Sequence, residues 1–157
     1  MKLKFITAIV AFSITFGFST ALAGLFKANN PTGQKISSLL KRDIQNGQKM
    51  EQIARFASSP FDYAEEVSEY ADNSQAIDDT DLPADFRFAW RMHMEAWRTH
   101  ANFLNRSSCM RKRMSKEEIS QIMIAQKVEI DTTWMNVLKI GVKYGAVIPP
   151  NAYPNPY

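Results

Sequence analysis

The sequence has little cysteine and histidine: among its 157 residues there are one cysteine, Cys109, and two histidines. A lone cysteine cannot form an internal disulfide. We therefore expect packing to stabilise the fold, with the thiol either buried and inert or free to pair with another chain. His93-Met94-Glu95 matches the H-x-E of zinc deaminases, but a P-C-x-x-C segment cannot follow in a chain with one cysteine. The match therefore carries no functional meaning.

Strand patterns and repeats are also missing. Outside the first residues, no segment of useful length alternates apolar and polar residues, and no internal repeat is present. A β-sheet protein and a repeat protein are therefore not expected. No catalytic signature was found either, which favours a non-enzymatic protein.

The N-terminus has the three parts of a signal peptide. Lys2 and Lys4 precede an apolar run over 5–18, and Ala21-Leu22-Ala23 is an A-x-A cleavage site. We predict a signal peptide over 1–23 and export to the periplasm or the exterior. The alternative is an uncleaved anchor, since the run approaches the ~20 apolar residues that span a bilayer. In the cleaved case the chain meets the membrane only through this leader.

The excess of positive charge belongs partly to that leader. The chain has 19 basic and 16 acidic residues, and loss of Lys2 and Lys4 leaves 17 basic against the same 16 acidic residues. The mature chain is then near neutral, at about +1. A near-neutral chain offers no electrostatic argument for binding nucleic acid.

Residues 24–157 are predicted to form one all-α domain, a small antiparallel bundle of about four helices. Apolar residues recur at helical spacing over about 34–57, 60–73, 83–105 and 116–144. Ser59-Pro60 and the capping box Ser115–Glu118 favour helix starts. Asn46-Gly47 is a point where the first helix could kink or split. The Pro-rich tail, 146–157, is predicted to be extended.

The third predicted helix is apolar on two sides. Trp90 and Trp97 lie on one stripe, whereas Phe88 and Met92 project to the opposite side. We expect this helix to be enclosed by several neighbours; the alternative is a second face that meets a partner or a ligand. Its polar strip predicts two ion pairs along the helix, Arg91–Glu95 and Glu95–Arg98.

Both histidines fall on the edge of that aromatic stripe. His93 and His100 are seven residues apart, about 10.5 Å along a helix. That distance is too large for the two imidazoles to share a zinc ion, whose Zn–N bonds are ~2.1 Å long. Each could still give one ligand to a haem held with another helix. We expect two boundary histidines, each with one nitrogen in water, and we predict no metal and no cofactor.

Charges of one sign are separated along the chain. Nine acidic and no basic residues lie between Arg55 and Arg87, and five basic residues lie over 106–116. The two regions either create a dipolar surface or face each other across the bundle. The tail could be a docking strand for a partner groove; we expect it instead to lie along the bundle, with its tyrosines covering apolar surface.

We therefore predict an exported, non-enzymatic binding or protein-interaction module, whose partner is another protein or a second copy. No catalytic residue is proposed. The alternative is a bundle that binds haem, a metal or a small ligand through His93 or His100. The candidate ligand- or partner-binding residues are Trp90, His93, Trp97, His100, Phe88 and Met92.

Overall fold

A computed structural model describes residues 30–106 and 113–153 of the chain. These residues contain four α-helices and two short 3-10 helices, and no strand. The α-helices are α1 (Pro31–Ala54), α2 (Ala64–Gln75), α3 (Ala84–Asn105) and α4 (Lys116–Lys143), and the 3-10 helices are Pro60–Tyr63 and Pro150–Ala152. The prediction of an all-α bundle is confirmed.

The four helices run alternately up and down. Contacts between α3 and α4 pair His93 with Thr133 and His100 with Gln126, so the two helices are antiparallel. Arg98 meets Asp72 and Asn105 meets Ser68, which makes α2 and α3 antiparallel as well. Both α1 and α3 have α2 and α4 as neighbours, as expected for a four-helix bundle with short connections.

Helix α1 begins earlier than predicted because Asn30 caps it. The Asn30 side chain accepts hydrogen bonds from the amides of Thr32 (3.1 Å) and Gly33 (3.2 Å), and Pro31 occupies the first turn. The helix then runs without interruption through Asn46-Gly47 to Ala54. The predicted boundaries, 34 and 57, were therefore each three residues too late.

The starts of the second and fourth helices depend on carboxylate caps. Ser59 donates its amide to the Asp62 carboxylate at 2.8 Å, while its hydroxyl has no hydrogen-bond partner in the described chain. A 3-10 turn precedes α2 there, which the sequence did not indicate. Ser115 and Glu118 form the predicted capping box, with hydrogen bonds of 2.7 and 3.2 Å between each side chain and the other's amide.

Two apolar clusters form the core. The larger joins α1, α3, α4, the α2–α3 connection and the tail; its most buried members are Ile36, Leu40, Phe86, Trp90, Val137 and Leu138. The smaller lies toward the C-terminal end of α3 and contains Ala64, Val67, Ala101, Phe103 and Leu104. The two clusters meet at Trp97, which packs against both.

The described part of the tail lies against α1 and α4. Gly145 turns the chain with a φ of +73°, a conformation that suits glycine. Val147 then donates its amide to the Ser37 hydroxyl at 2.8 Å, and the buried Ala152 accepts a hydrogen bond from the Trp134 indole. The tail thus follows the bundle as expected, although residues 150–152 form a 3-10 turn and Tyr153 is exposed rather than covering apolar surface.

Three predictions fall outside the described residues: the signal peptide over 1–23, the environment of Cys109 and the end of the tail, 154–157. Within the described ranges, none of the helices is both long enough and apolar enough to span a bilayer.

Candidate functional site

The six candidate residues separate into an interior set and an exterior set. Trp90 and His93 are buried, and Trp97 and His100 are half-buried, where α3 meets its neighbours. Phe88 and Met92 lie on the outside of the same helix, with 68% and 44% of their surface exposed. One face of α3 therefore builds the interior and the other meets solvent.

His93 is buried with both ring nitrogens bonded. Nε2 accepts a hydrogen bond from the Trp97 indole (3.2 Å), so Nδ1 carries the proton and donates to the Thr133 hydroxyl (3.1 Å). The Thr133 hydroxyl in turn donates a hydrogen bond to the backbone carbonyl of Glu129. Burial lowers the pKa of His93 to about 3. The prediction of a boundary histidine with one nitrogen in water was wrong for this residue.

These contacts bear on the cofactor alternative. To bind iron or another metal through Nε2, His93 would have to break its bond to Trp97. His100 donates from Nδ1 to the Gln126 carboxamide at 2.9 Å and is half-buried. No group of three or more His, Cys, Asp or Glu side chains within 30–106 and 113–153 is placed to hold a metal ion. The haem or metal alternative stays a prediction that the surroundings of His93 do not favour.

A second buried polar group lies between α1 and α2. Asp43 is only 3% exposed and accepts a hydrogen bond from the Tyr70 hydroxyl at 2.9 Å. Ser74, which is completely buried, also bonds to Asp43 and accepts from Asn46 at 3.1 Å. Desolvation raises the pKa of Asp43 to about 6, because neutral hydroxyl groups compensate the buried charge only in part. Desolvation and the neighbouring Asp43 raise the pKa of Tyr70 well above its usual value.

These groups form one layer across the bundle. The Tyr70 ring packs edge-on against Trp97, with centroids 4.7 Å apart, and Trp97 bonds to His93. The layer thus runs from Asp43 on α1 through α2 and α3 to Thr133 on α4, and we call it the polar layer. Sequence reasoning missed its α1–α2 half. The available signal was an aspartate on the inner face of α1, three residues after Leu40 and four before Gly47.

Helix α3 is enclosed over only part of its length. Phe103, which by helical spacing projects to the same side of α3 as Phe88 and Met92, is buried in the smaller cluster, whereas Phe88 and Met92 remain exposed. The preference for a fully enclosed helix was therefore wrong at its N-terminal half. The reason is geometric: α2 and α4 cover adjoining sides of α3, and the described chain has no fifth helix to cover the remaining side.

The polar strip of α3 also differs from the prediction. Arg91 forms a bidentate ion pair with the Asp79 carboxylate, with both N···O distances at 3.1 Å. The Arg98 guanidinium lies 3.4 Å from the Asp72 carboxylate. Neither arginine pairs with Glu95, so the two predicted pairs along the helix were wrong. Glu95 is left exposed and makes no ion pair with any described residue.

The acidic region meets basic residues from three helices. Besides the two arginines of α3, Lys35 of α1 pairs with Asp81 and Lys143 of α4 pairs with Asp85, each at 2.7 Å. Four of the nine acidic residues of this region, Asp72, Asp79, Asp81 and Asp85, are thus paired with basic residues of α1, α3 and α4. Most of the basic segment 106–116 lies outside the described residues, so its relation to the acids stays a prediction.

Among the described residues, two surface depressions lie between α1 and the α2–α3 connection, and between α1 and the tail; neither is lined by a candidate residue. A scan against protein-family models and searches of curated proteins and of solved structures found no match to this chain.

Proposed function

We propose that this chain is an exported, non-enzymatic interaction protein that binds another protein through the outer face of α3. The observation that carries the proposal is the exposure of Phe88 (68%) and Met92 (44%) one helical turn apart. Burying a side chain of this kind contributes about 1.5–3 kcal/mol. In the free protein the Phe88 side chain is mostly exposed and contributes little of this free energy. A partner that buries the side chain would gain it as binding free energy.

Charge indicates the chemistry of the partner. Arg91 and Arg98 are held by Asp79 and Asp72, whereas Glu95, beside the two apolar side chains, makes no ion pair with a described residue. A complementary surface would present one or two apolar side chains and a lysine or arginine. We therefore infer a protein partner with a basic, apolar segment, met in the periplasm or outside the cell after cleavage at Ala23.

A photo-crosslinking amino acid at position 88 would test this proposal in the exporting cell. We expect one discrete adduct from position 88 and none from the control position Gln34, an exposed residue at the start of α1. The captured protein, once purified, should bind the wild type and lose at least about tenfold in affinity, ~1.4 kcal/mol, to Phe88→Asp/Met92→Asp.

Two results would contradict the proposal. One is equal affinity of the captured protein for the wild type and for the folded double variant. The other is that Phe88→Asp/Met92→Asp unfolds in circular dichroism while Gln34→Asp does not, which would make this face part of the core.

A further inference from the structure

Two methionines of α3, Met92 and Met94, have opposite environments although a single residue separates them. Successive residues of an α-helix lie about 100° apart around its axis, so the two side chains project about 160° from each other. Met94 belongs to the larger apolar cluster and is 2% exposed, whereas Met92 lies on the outer face and is 44% exposed. The helix therefore presents one thioether to the core and the other to solvent.

The exposure of Met92 is matched by one other methionine of the described chain. Met135 on α4 is 45% exposed. The remaining methionines within the described ranges are buried or half-buried: Met50, Met94, Met114 and Met123. Met92 and Met135 are thus the two described methionines whose side chains a small solute reaches most easily.

An exposed thioether takes up oxygen from a hydroperoxide. A lone pair of the sulfur attacks one peroxide oxygen, an S–O bond forms and the O–O bond breaks. The proton on the transferred oxygen passes to the leaving oxygen, which departs as water or an alcohol. Sulfur loses two electrons and the peroxide gains them. The product, methionine sulfoxide, is polar, and a thiol-dependent reductase can convert it back to methionine.

Met92 occupies the surface to which the proposed function assigns partner binding. Phe88 lies one helical turn before it, and the exposed Glu95 follows three residues after it. Hydrogen peroxide carries no charge, so the Glu95 carboxylate does not repel it. A sulfoxide at position 92 would place a polar S–O group beside the Phe88 ring, and burying such a group without a hydrogen bond costs free energy.

We propose that oxidation of Met92 by a hydroperoxide weakens the binding of the partner to the outer face of α3. The inference rests on the proposed function and adds a redox control to the same surface. Reduction of the sulfoxide restores the thioether and therefore the binding. Met94 keeps its thioether, because its neighbours in the core exclude the oxidant.

Peptide mass spectrometry of the folded protein during exposure to hydrogen peroxide tests the site. We expect Met92 and Met135 to be oxidised at least about tenfold faster than Met94, since oxidation follows exposure. In urea, which unfolds the chain, the three methionines should react at similar rates. Equal rates for Met92 and Met94 in the folded protein would overturn the proposal.

The protein captured by crosslinking at position 88 allows the effect on binding to be measured. Peroxide should lower its affinity for the wild type by at least about fivefold, and methionine sulfoxide reductase should restore it. Met92→Leu retains an apolar side chain of similar volume and should bind equally before and after peroxide. Met135→Leu is the matched control: it removes the equally exposed methionine of α4 and should leave the loss of binding unchanged.

Failure of this inference differs from failure of the proposed function. If the oxidised wild type, with its Met92 sulfoxide verified by mass, binds the captured protein as tightly as before, the redox control is wrong and the proposed function stands. A Met92→Leu variant that loses binding as the wild type does would place the effect at another residue. Loss of the helical circular dichroism on oxidation would assign the effect to unfolding. Equal affinity of the captured protein for Phe88→Asp/Met92→Asp would contradict both proposals.

Discussion

Asp43 and His93 are ionisable side chains buried in the polar layer, and acid affects them in opposite ways. The folded state holds a proton on Asp43 more tightly than the unfolded chain does, because the pKa rises from 3.8 to about 6. It holds a proton on His93 less tightly, because that pKa falls from 6.5 to about 3. Between pH 4 and 6, acidification stabilises the fold through Asp43 and destabilises it through His93, by about 1.4 kcal/mol per pH unit in each case.

Replacing Asp43 with asparagine should therefore reveal the effect of His93. We expect the wild type to keep a nearly constant free energy of unfolding between pH 4 and 6, because the two effects offset each other. The free energy of unfolding of Asp43→Asn should instead fall by about 1.4 kcal/mol per pH unit as the pH falls from 6.5 toward 3. At pH 7 the variant should exceed the wild type by up to about 3 kcal/mol, since the buried charge is gone. Urea unfolding at several pH values measures both curves.

The two curves should converge near pH 4, where Asp43 is protonated in the wild type. The lowered pKa values of Asp85 and Glu118 affect both proteins alike and act mainly below that pH. If Asp43→Asn is less stable than the wild type at pH 7, and its free energy of unfolding depends on pH as that of the wild type does, then the charge of Asp43 does not destabilise the fold.

At the scale of the helices, the two glycines inside α1 have opposite surroundings. A Cβ at Gly33 would lie 2.7 Å from the carbonyl oxygens of Tyr144 and Gly145, whereas at Gly47 it would lie 3.6 Å from the Tyr70 ring. The first distance is a backbone clash and the second an ordinary contact. Gly33 is thus required for the close approach of α1 to the end of α4, and Gly47 is not required by any contact of the described chain.

Alanine at these two positions should change stability in opposite directions. Gly47→Ala should raise the free energy of unfolding by about 0.5–1 kcal/mol through helix propensity alone. Gly33→Ala gains the same propensity but must separate α1 from residues 144–145, and we expect a net loss of about 1–3 kcal/mol. Thermal and urea unfolding of the pair provide the comparison. Equal stabilisation by both changes would show that α1 and α4 do not approach closely at Gly33.

The positions of the helices along the chain were predictable because local signals determine them. The contacts that the side chains make with other helices and loops were not predictable in this way. The Ser115–Glu118 capping box and the apolar spacing lie within the helices that they predict or directly beside them. The partners of Arg91 and Arg98 are a loop and a neighbouring helix, so spacing along α3 alone predicted the wrong pairs. Likewise, the exposure of Phe88 and the burial of His93 depend on which sides of α3 its neighbours cover.

For the whole molecule, the antiparallel bundle followed from four helices and short links, but the place of the tail did not. Residues 146–153 lie against α1 and α4 and supply the acceptor for the Trp134 indole, far from any periodic pattern. The sequence predicted an extended segment that leaves the helix and lies along the bundle. It did not specify which groove the segment would occupy.

Ending the chain after Gly145 should therefore destabilise the bundle. The truncation removes the buried Ala152, uncovers Ile36 and leaves the Trp134 indole without its acceptor. We expect the free energy of unfolding, measured in urea, to fall by about 2–4 kcal/mol. Val147→Ser in the same segment is the control: it is 66% exposed and should change stability by less than ~0.5 kcal/mol. A truncated chain as stable as the full one would contradict a structural role for the tail.

The hydrogen bond from the Asn30 side chain to the Tyr144 carbonyl joins residues 114 positions apart, at 2.7 Å. Because α1 and α4 are neighbours, a growing chain cannot close the ring of four helices before α4 has left the ribosome. Until then Ile36 and Leu40 lack the members of their core cluster that α4 supplies, among them Trp134 and Leu138. The bundle therefore closes only when residues 144–145 reach residues 30–33.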